Sequence, residues 1–493
     1  MSSPDDETDP QDTPSADNSW RRVFTGRFAL FTLILNLAVC LFALDTFVVT
    51  TVMPTVVGDI GGAEYYSWTI MLYMVGSIIG AASAGPVKEQ FGRRNGYVYA
   101  GLMFVAGNMG VSLSPDMLVL VAWRLLEGLG GGLLIAQSYG MVADVFPKEL
   151  RVRALSVIST TWGVATVLGP AFGGVFAELG LWRAAFWTLI PIGLIFCLLA
   201  WRIVPPSETS EDRPSIWKAI PIVRLACLGG SILCLGQTSQ TSDNLVRAVL
   251  VVGAIALAVF AFRRDASSDS PMFPPKTLVI FSTLGSAYWI MLLVTMTYSF
   301  ATLYATLYLQ VLHGQTPIVA AYLNAAMSFS WTTAAVLVSG LQGRVIWVSI
   351  LSGVTSILAG SIVLALGATS ASLAMPIIGL VLVGVGMGAA NGHMVALSIL
   401  AAPEGRESLA GSSVQTMRTL GIGFGAAAAG LFANAAGLAD AGIISNFKGE
   451  IRAEHPELVI AAVDWVHRGE VLFAAAALAA AFIFFTRGRH LTG

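Results

Sequence analysis

Charge is what this chain has least of. Only 11% of its 493 residues are Asp, Glu, Lys or Arg, against 56% hydrophobic. So few charges cannot cover a water-soluble globule, and a mean hydropathy of +0.75 places the chain among polytopic membrane proteins, all-α in fold class. A basic excess is also missing: the formal net charge is -2 and the sequence pI about 6.2, which leaves no electrostatic footprint for nucleic acid. Cysteine is scarce too. Cys40, Cys197, Cys227 and Cys234 fall inside apolar runs and form no Cys-x-x-Cys pair, so neither a disulfide framework nor a metal site is implied, and no cofactor is expected. Acids vanish altogether between Asp269 and Glu404.

What the chain does have is long apolar runs, at about residues 28–54, 66–86, 95–113, 117–141, 154–178, 183–203, 217–236, 245–263, 278–310, 316–341, 345–367, 372–400, 408–436 and 467–486. Each approaches the roughly 20 residues needed to cross a bilayer. Fourteen spans are expected, or twelve if the seventh and eighth runs, interrupted by Arg224 and Arg247, are discounted. Before the first run, residues 1–20 carry Asp5, Asp6, Glu7, Asp9, Asp12 and Asp17 among Ser, Pro and Thr, a composition that predicts a disordered tail. This acidic start lacks the basic region of a signal peptide, so the first helix is expected to remain in the mature protein.

The placement of Lys and Arg sets an orientation, since cytoplasmic loops collect them. Arg21, Arg22 and Arg27; Lys88, Arg93 and Arg94; Lys148, Arg151 and Arg153; Arg202, Arg213 and Lys218; Arg263, Arg264 and Lys276; and Arg344, Arg406, Arg487 and Arg489 all fall on one side. Both termini are therefore expected in the cytoplasm, with the chain in the cell inner membrane. Proline-bounded polar stretches at 205–214 and 263–275 bracket the seventh and eighth runs. The expected organisation is a tail (1–20), a six-helix bundle (21–204), a linker with two extra transmembrane helices (205–276) and a second six-helix bundle (277–493). Two bundles around a midplane cavity form a transporter plan in which one half rocks against the other.

Within the first run stands one acid, Asp45, and no other charge lies between Phe28 and Pro54. Such an acid costs about 2.5 to 3.5 kcal/mol on insertion scales and normally faces a bundle interior or a wet cavity. It is a functional-site candidate, the alternative being a local hydrogen bond that serves packing.

Several stretches in order resemble the major facilitator superfamily, in particular its fourteen-helix drug:proton antiporter branch. Leu44 to Pro54, Gly58-Asp59-Ile60-Gly61-Gly62 and Tyr66-Ser67-Trp68 are similar to that branch's first helix and first outer loop. The stretch Gly85 to Arg94 resembles the superfamily's loop between spans two and three, with Glu89 where Asp is usual. Leu120, Arg124, Glu127 and Gly128 resemble a span-four motif, with Glu127 in place of Gln. Gly169-Pro170-Ala171-Phe172-Gly173-Gly174 resembles a motif associated with antiporters. Trp182-Arg183, Pro191-Ile192-Gly193, Tyr308 to Gly314 and Arg418 to Gly421 also match. The resemblance implies a charge latch at Gly85, Glu89, Gly92, Arg93 and Arg94; topology alone would also put a basic turn there. Gly169, Pro170, Gly173 and Gly174 are equally explained by close packing and a kink.

Depth gives Asp45 a partner. It lies nine residues before Pro54, and Arg124 seven residues after Met117 on a helix running the other way. At about 1.5 Å per residue both sit some 10 to 14 Å below the same boundary. If they pair, Arg124 favours ionised Asp45, and a conformational change that separates them would let Asp45 take up a proton. Glu127, one turn from Arg124, is either that arginine's structural counter-ion or a further proton or cation site.

In the second half Tyr304, Tyr308, Gln310, Asn324, Asn391, His393 and Arg418 are the candidate cavity residues, and aromatic faces with scattered amides suit a planar, polar, weakly charged solute. His393 could instead hydrogen-bond Asn391 or a backbone carbonyl. With no acid between Asp269 and Glu404, acidic contacts to a cationic solute are expected only from Asp45 and Glu127. The expected function is proton-coupled transport of a small amphipathic organic compound by a monomer in the lipid bilayer, export favoured. Uptake of a planar nutrient such as a riboflavin-like vitamin is the alternative. No catalytic constellation or filter-like ring supports a membrane enzyme or a channel.

Overall fold

The computed structural model describes residues 17–206, 220–241, 243–404, 406–445 and 450–492. Eleven segments are long and apolar enough to cross a bilayer. One of them contains the helix Trp68–Ser112, which doubles back at Gly92, where φ 79° and ψ 162° break the helix and only glycine is at ease. Two further helices, Pro317–Val338 and Glu407–Ala435, have 22 and 29 residues. Fourteen spans result among the described residues: α1 Gly26–Ile60, α2 and α3 (the arms 68–91 and 92–112), α4 Met117–Val145, α5 Lys148–Glu178, α6 Trp182–Ile203, α7 Ile222–Gln237, α8 Asn244–Ala266, α9 Thr283–Leu303, α10 Pro317–Val338, α11 Val345–Gly367, α12 Ala374–Leu400, α13 Glu407–Ala435 and α14 Pro456–Gly488. The end of the bundle where α1 begins and α14 finishes is called the near end below, and the opposite end the far end.

Several helix starts are written in the sequence. Asp116 accepts from the Val119 amide at 2.9 Å, Ser282 from Gly285 at 2.9 Å and Asp243 from Leu245 at 2.8 Å, each satisfying a first-turn donor. Glycine then lets helices meet backbone to backbone. A Cβ on Gly76 or Gly80 of α2 would lie 2.2 Å from the carbonyl oxygens of Leu125 and Leu129, and one on Gly128 or Gly132 of α4 would lie 2.1 Å from those of Tyr73 and Ser77. The same device joins α11 to α12, where a Cβ on Gly353 or Gly360 would lie 2.8 or 2.7 Å from the carbonyls of Gly386 and Gly379.

The arginines that cast doubt on the seventh and eighth spans sit at helix ends. Arg224 is in the first turn of α7 and pairs with Asp265 in the last turn of α8, while Arg247 is in the first turn of α8. Charge there costs little. Gly229 and Gly236 of α7 lie beside Val75 and Met71 of α2, and Ile232 beside Gly423 of α13, so the inserted pair leans on both halves.

Three expectations need correction. Residues 17–20 belong to a short helix, Asp17–Val23, so the tail ends earlier than residue 20, and residues 1–16 lie outside the described residues. Residues 207–219, the core of the first linker, also lie outside them. Helix α1 runs six residues beyond Pro54. Helix α14 begins at Pro456, eleven residues before the expected start, because Glu457 and Asp464 hide its first turns, about three of them, from hydropathy. The chain before it forms a small antiparallel hairpin, β1 Ile443–Ser445 with β2 Ile451–Ala453.

The halves meet at the far end. The Thr306 hydroxyl donates to the Thr50 carbonyl at 2.7 Å, the Asn434 amide to the Glu64 carbonyl at 2.8 Å, and the Tyr322 hydroxyl to the Val167 carbonyl at 3.0 Å. The rings of Tyr66 and Tyr304 stack with centroids 5.0 Å apart. Pro54 explains the first bond. Lacking an N–H, it leaves the carbonyl four residues back, that of Thr50, without its helical donor, and Thr306 of the other half supplies one.

Candidate functional site

The α2–α4 contact holds Arg124 against α1. Its guanidinium Nη1 donates to both oxygens of Asp45, at 3.0 and 3.1 Å, and to Glu127 Oε2 at 2.7 Å, while Nε donates to the Thr69 carbonyl at 3.2 Å. The Tyr73 ring lies under the guanidinium, 4.2 Å from its centroid. Asp45 and Glu127 have no exposed surface and Arg124 has 1%. Glu127 Oε1 is buried with no hydrogen-bond partner among the described residues. The expected juxtaposition of Asp45 and Arg124 is present, and Glu127 joins the same cluster instead of forming a separate site. Two acids thus share one base out of contact with water, an arrangement whose charge depends on one proton.

At the near end the ion pairs differ from the expected latch. Arg93 donates to Asp144 at 3.1 Å and Lys88 pairs with the same carboxylate. Glu89 is exposed, with no ion pair among the described residues. The acid of this cluster is therefore Asp144, in the last turn of α4, which sequence reasoning missed because its spacing from the basic residues is set only by the α2–α4 packing. Gly92 makes the turn, but Gly85 is exposed and a Cβ there would meet nothing within 4 Å, so it serves no close helix approach. Arg94 lies with its guanidinium 6.0 Å from the Trp201 ring centroid.

The α5 motif packs in two directions. Gly169 and Gly173 face α1, where a Cβ would lie 2.3 Å from Phe47 Cβ and 2.9 Å from Thr51 Cβ. Gly174 faces the second half, with Ile318 Cγ1 at 2.5 Å and its Cα at 2.8 Å. Pro170 lies between, inside the helix. At the far end the Asp59 carboxylate accepts from Trp182 Nε1 at 2.9 Å and Arg183 Nη1 at 2.7 Å, tying α1 to the start of α6.

The second-half candidates divide. Tyr304, Tyr308 and Gln310 are buried, at 3%, 0% and 4% exposure. They follow the break after α9 and belong to the packed core, so they do not line an open cavity. His393 is buried and its Nε2 lies 3.1 Å from the Val338 carbonyl, bridging α12 to the end of α10. Asn324 and Asn391 are half-buried. Arg418 is also half-buried, with the Trp331 ring centroid 5.5 Å from its guanidinium carbon.

A cluster the sequence did not announce lies on α14. His467 Nδ1 and Glu470 Oε2 are 2.6 Å apart, and the Ser361 hydroxyl donates to Glu470 Oε1 at 2.8 Å. Glu470 has no exposed surface and His467 has 1%. With α14 starting at Pro456, Glu470 lies about 21 Å along it, deep in the bundle. The second half therefore does bury an acid, contrary to expectation, although that acid is already engaged. The only signal was an i, i+3 His–Glu pair at the start of the last apolar run. Among the described residues no group of three or more His, Cys, Asp or Glu could hold a metal.

Known proteins agree with this architecture. Residues 35–426 match the family model of the Major Facilitator Superfamily. The chain is 29% identical over 446 residues to "Probable multidrug-efflux transporter Rv1634" of Mycobacterium tuberculosis, covering 86% of this chain and 92% of that one. It is 26% identical over 235 residues to "Multidrug resistance protein 3" of Bacillus subtilis, covering 47% of this chain and 46% of that one. Among solved structures, a D-xylose-proton symporter superposes with a TM-score of 0.61 at 15% identity, over 93% of this chain and 98% of that one. A POT family transporter superposes with a TM-score of 0.64 at 12% identity, over 94% and 96%. The likeness to these structures is one of fold. With its fourteen spans and two bundles, the chain is a multi-pass membrane transporter that belongs to the major facilitator superfamily.

Proposed function

We propose that the chain is a proton-coupled exporter of small amphipathic organic compounds, working by alternating access in the cell inner membrane with both termini in the cytoplasm. The Arg124 cluster carries this reading. Two buried carboxylates answered by one guanidinium leave a net charge of -1, and an uncompensated charge in such a site costs several kcal/mol. One proton, held on Asp45 or Glu127, neutralises the cluster. Movement of α1 relative to α4 changes how well Arg124 compensates Asp45, which couples proton occupancy to the position of α1. Because Thr50 of α1 is bonded to Thr306 of the second half, that position also depends on whether the far end is closed.

The near-end Lys88–Asp144–Arg93 cluster acts as the latch of one state, and Gly174 permits far-end closure on Ile318. The sequence relation to multidrug-efflux transporters favours efflux over uptake of a planar nutrient. Arg418 over Trp331 favours neutral or weakly acidic planar cargo, and Glu470 is too well engaged to receive the second charge of a dication. Neutral planar solutes are expected over dications by at least about tenfold, about 1.4 kcal/mol of differential binding.

Whole-cell accumulation of a panel of dyes, antibiotics and flavins, in cells with and without the gene and with the proton gradient intact or collapsed, tests this directly. Lower accumulation that depends on both gene and gradient is expected. Gene-dependent accumulation of flavins would favour uptake, and robust dication export would overturn the cargo argument.

A further inference from the structure

The bundle holds a second buried acid–base pair that the Arg124 cluster does not use. It lies where α14 packs between α9, α11 and α13. A Cβ on Gly469 would lie 2.9 Å from Phe432 of α13 and 3.1 Å from Phe300 of α9, which leaves His467 and Glu470 on the inner faces of the helix. Ser361 of α11 donates to the carboxylate, and the Tyr308 ring meets the imidazole edge to face with centroids 5.8 Å apart. His467 Nε2 and the Tyr308 hydroxyl are both buried without a hydrogen-bond partner among the described residues.

The neighbours set the charge balance. From α11 the polar contribution is Ser361 alone, and the helix Val345–Gly367 carries no charged residue. The phenols of α9 point elsewhere: Tyr288 bonds Ala410 and Ser413, and Tyr298 meets Trp331 edge to face. Arg418 of α13 lies on Trp331. Beyond α9, Tyr308 faces the pair, and His313 is held on the Ala368 carbonyl at 2.9 Å. On α14 itself, Asp464 accepts from Thr369 at 3.0 Å and Arg468 is exposed. Arg452 of β2 is exposed beside Glu450, and Asp440 is exposed. Among the described residues no permanent cation therefore compensates Glu470, and its neutrality rests on one proton shared with His467.

We propose that His467 and Glu470 form a second proton-binding site, in the second half, which the short helix Ala305–Val311 links to Asp45. That helix touches both sites. Thr306 bonds the Thr50 carbonyl, five residues from Asp45 on α1, and Tyr308, two residues on, packs on His467. With one proton the pair is neutral, as imidazolium with carboxylate or as imidazole with carboxylic acid. Loss of that proton leaves neutral imidazole and a carboxylate to which Ser361 still donates. Nε2, the ring nitrogen not bonded to Glu470, is the atom through which the proton arrives or leaves when Tyr308 moves. Opening of the far end breaks the Thr306 bond, shifts Tyr308 and exposes this nitrogen, so proton exchange here is timed with that at Asp45.

The inference rests on the transport reading for its coupling role, but its proton site is testable without transport. Infrared difference spectra of the purified full-length protein between acidic and alkaline buffer, in light and heavy water, are compared for wild type, Glu470→Gln, His467→Gln and Asp45→Asn. A carboxyl signal lost in Glu470→Gln, displaced in His467→Gln and retained in Asp45→Asn is expected. Should Glu470→Gln not fold, His467→Gln decides alone: an undisplaced carboxyl spectrum overturns the site. Superimposable spectra for wild type and Glu470→Gln overturn it as well. In proteoliposomes, transport of a monocationic dye is expected to shift its pH profile in His467→Gln, and an unchanged profile would remove the coupling role. If wild type carries no dye in any gradient, the transport reading fails, and the spectra still decide whether the pair binds a proton.

Discussion

In the first half one guanidinium, Arg124, answers two buried carboxylates, whereas in the second half one carboxylate, Glu470, is answered by an imidazole and a hydroxyl. The first cluster contains a permanent charge and can never be emptied of ions. The second can become wholly neutral by moving a single proton within the pair. Removal of one member should therefore be far more damaging in the first cluster than removal of the entire pair from the second, since breaking a buried ion pair leaves a stranded charge while replacing it with apolar groups does not.

The largest effect is expected for Arg124→Ala. It strands Asp45 and Glu127 together and should cost about 3 to 5 kcal/mol of stability, seen as a large drop in the melting temperature of the purified protein. The double replacement His467→Leu with Glu470→Leu should come within about 1 to 2 kcal/mol of wild type, in either direction, because it leaves no ion behind. Equal losses in the two variants would erase the contrast.

Next in size is Gly174→Val, at the place where the first half meets the second. Its side chain would occupy space held by Ile318, at 2.5 Å, and overpacking of this kind costs about 1 to 3 kcal/mol. Here the cost falls on the state with a closed far end. Cysteine accessibility from the far side, reported by a label at a position such as Thr50→Cys, should rise, and unchanged labelling would show that closure does not depend on this contact.

Thr306→Val is the smallest. It keeps the side-chain volume and removes the donor to the Thr50 carbonyl, which Pro54 has already deprived of its helical partner. The carbonyl then stays buried and unpaired, a loss of about 1 to 3 kcal/mol that is again specific to the closed far end. The variant Thr306→Val with Pro54→Ala should recover part of it by restoring the α1 hydrogen bond. Absence of recovery in stability measurements would mean that Pro54 is not the reason Thr306 is needed.

Much of this was legible in the sequence because hydropathy, charge bias and depth are additive along a helix. Asp45 and Arg124 could be placed at one level by counting residues, and the structure puts them 3.0 Å apart. The errors arise where a helix carries its own charges or where two segments distant in sequence meet. Helix α14 opens with Glu457 and Asp464, so its first turns read as loop, while His467 and Glu470 lay inside the expected run and only their packing against Ser361 and Tyr308 marks them as a pair. Asp144 meets Arg93 and Lys88 only because glycines bring α2 and α4 into backbone contact. Tyr304, Tyr308 and Gln310 have the chemistry of cavity residues, yet the break after Leu303 turns them into the core. No one-dimensional signal marks that break.

The central claim is that protons drive transport through the Arg124 cluster. The most direct measurement is uphill movement of a transported compound in proteoliposomes under an imposed pH gradient, comparing wild type with Asp45→Asn, which keeps the side-chain shape and removes the titratable group. The account predicts gradient-driven accumulation by wild type and none by Asp45→Asn, with both proteins inserted equally and equally stable; undiminished uphill transport by Asp45→Asn would contradict it.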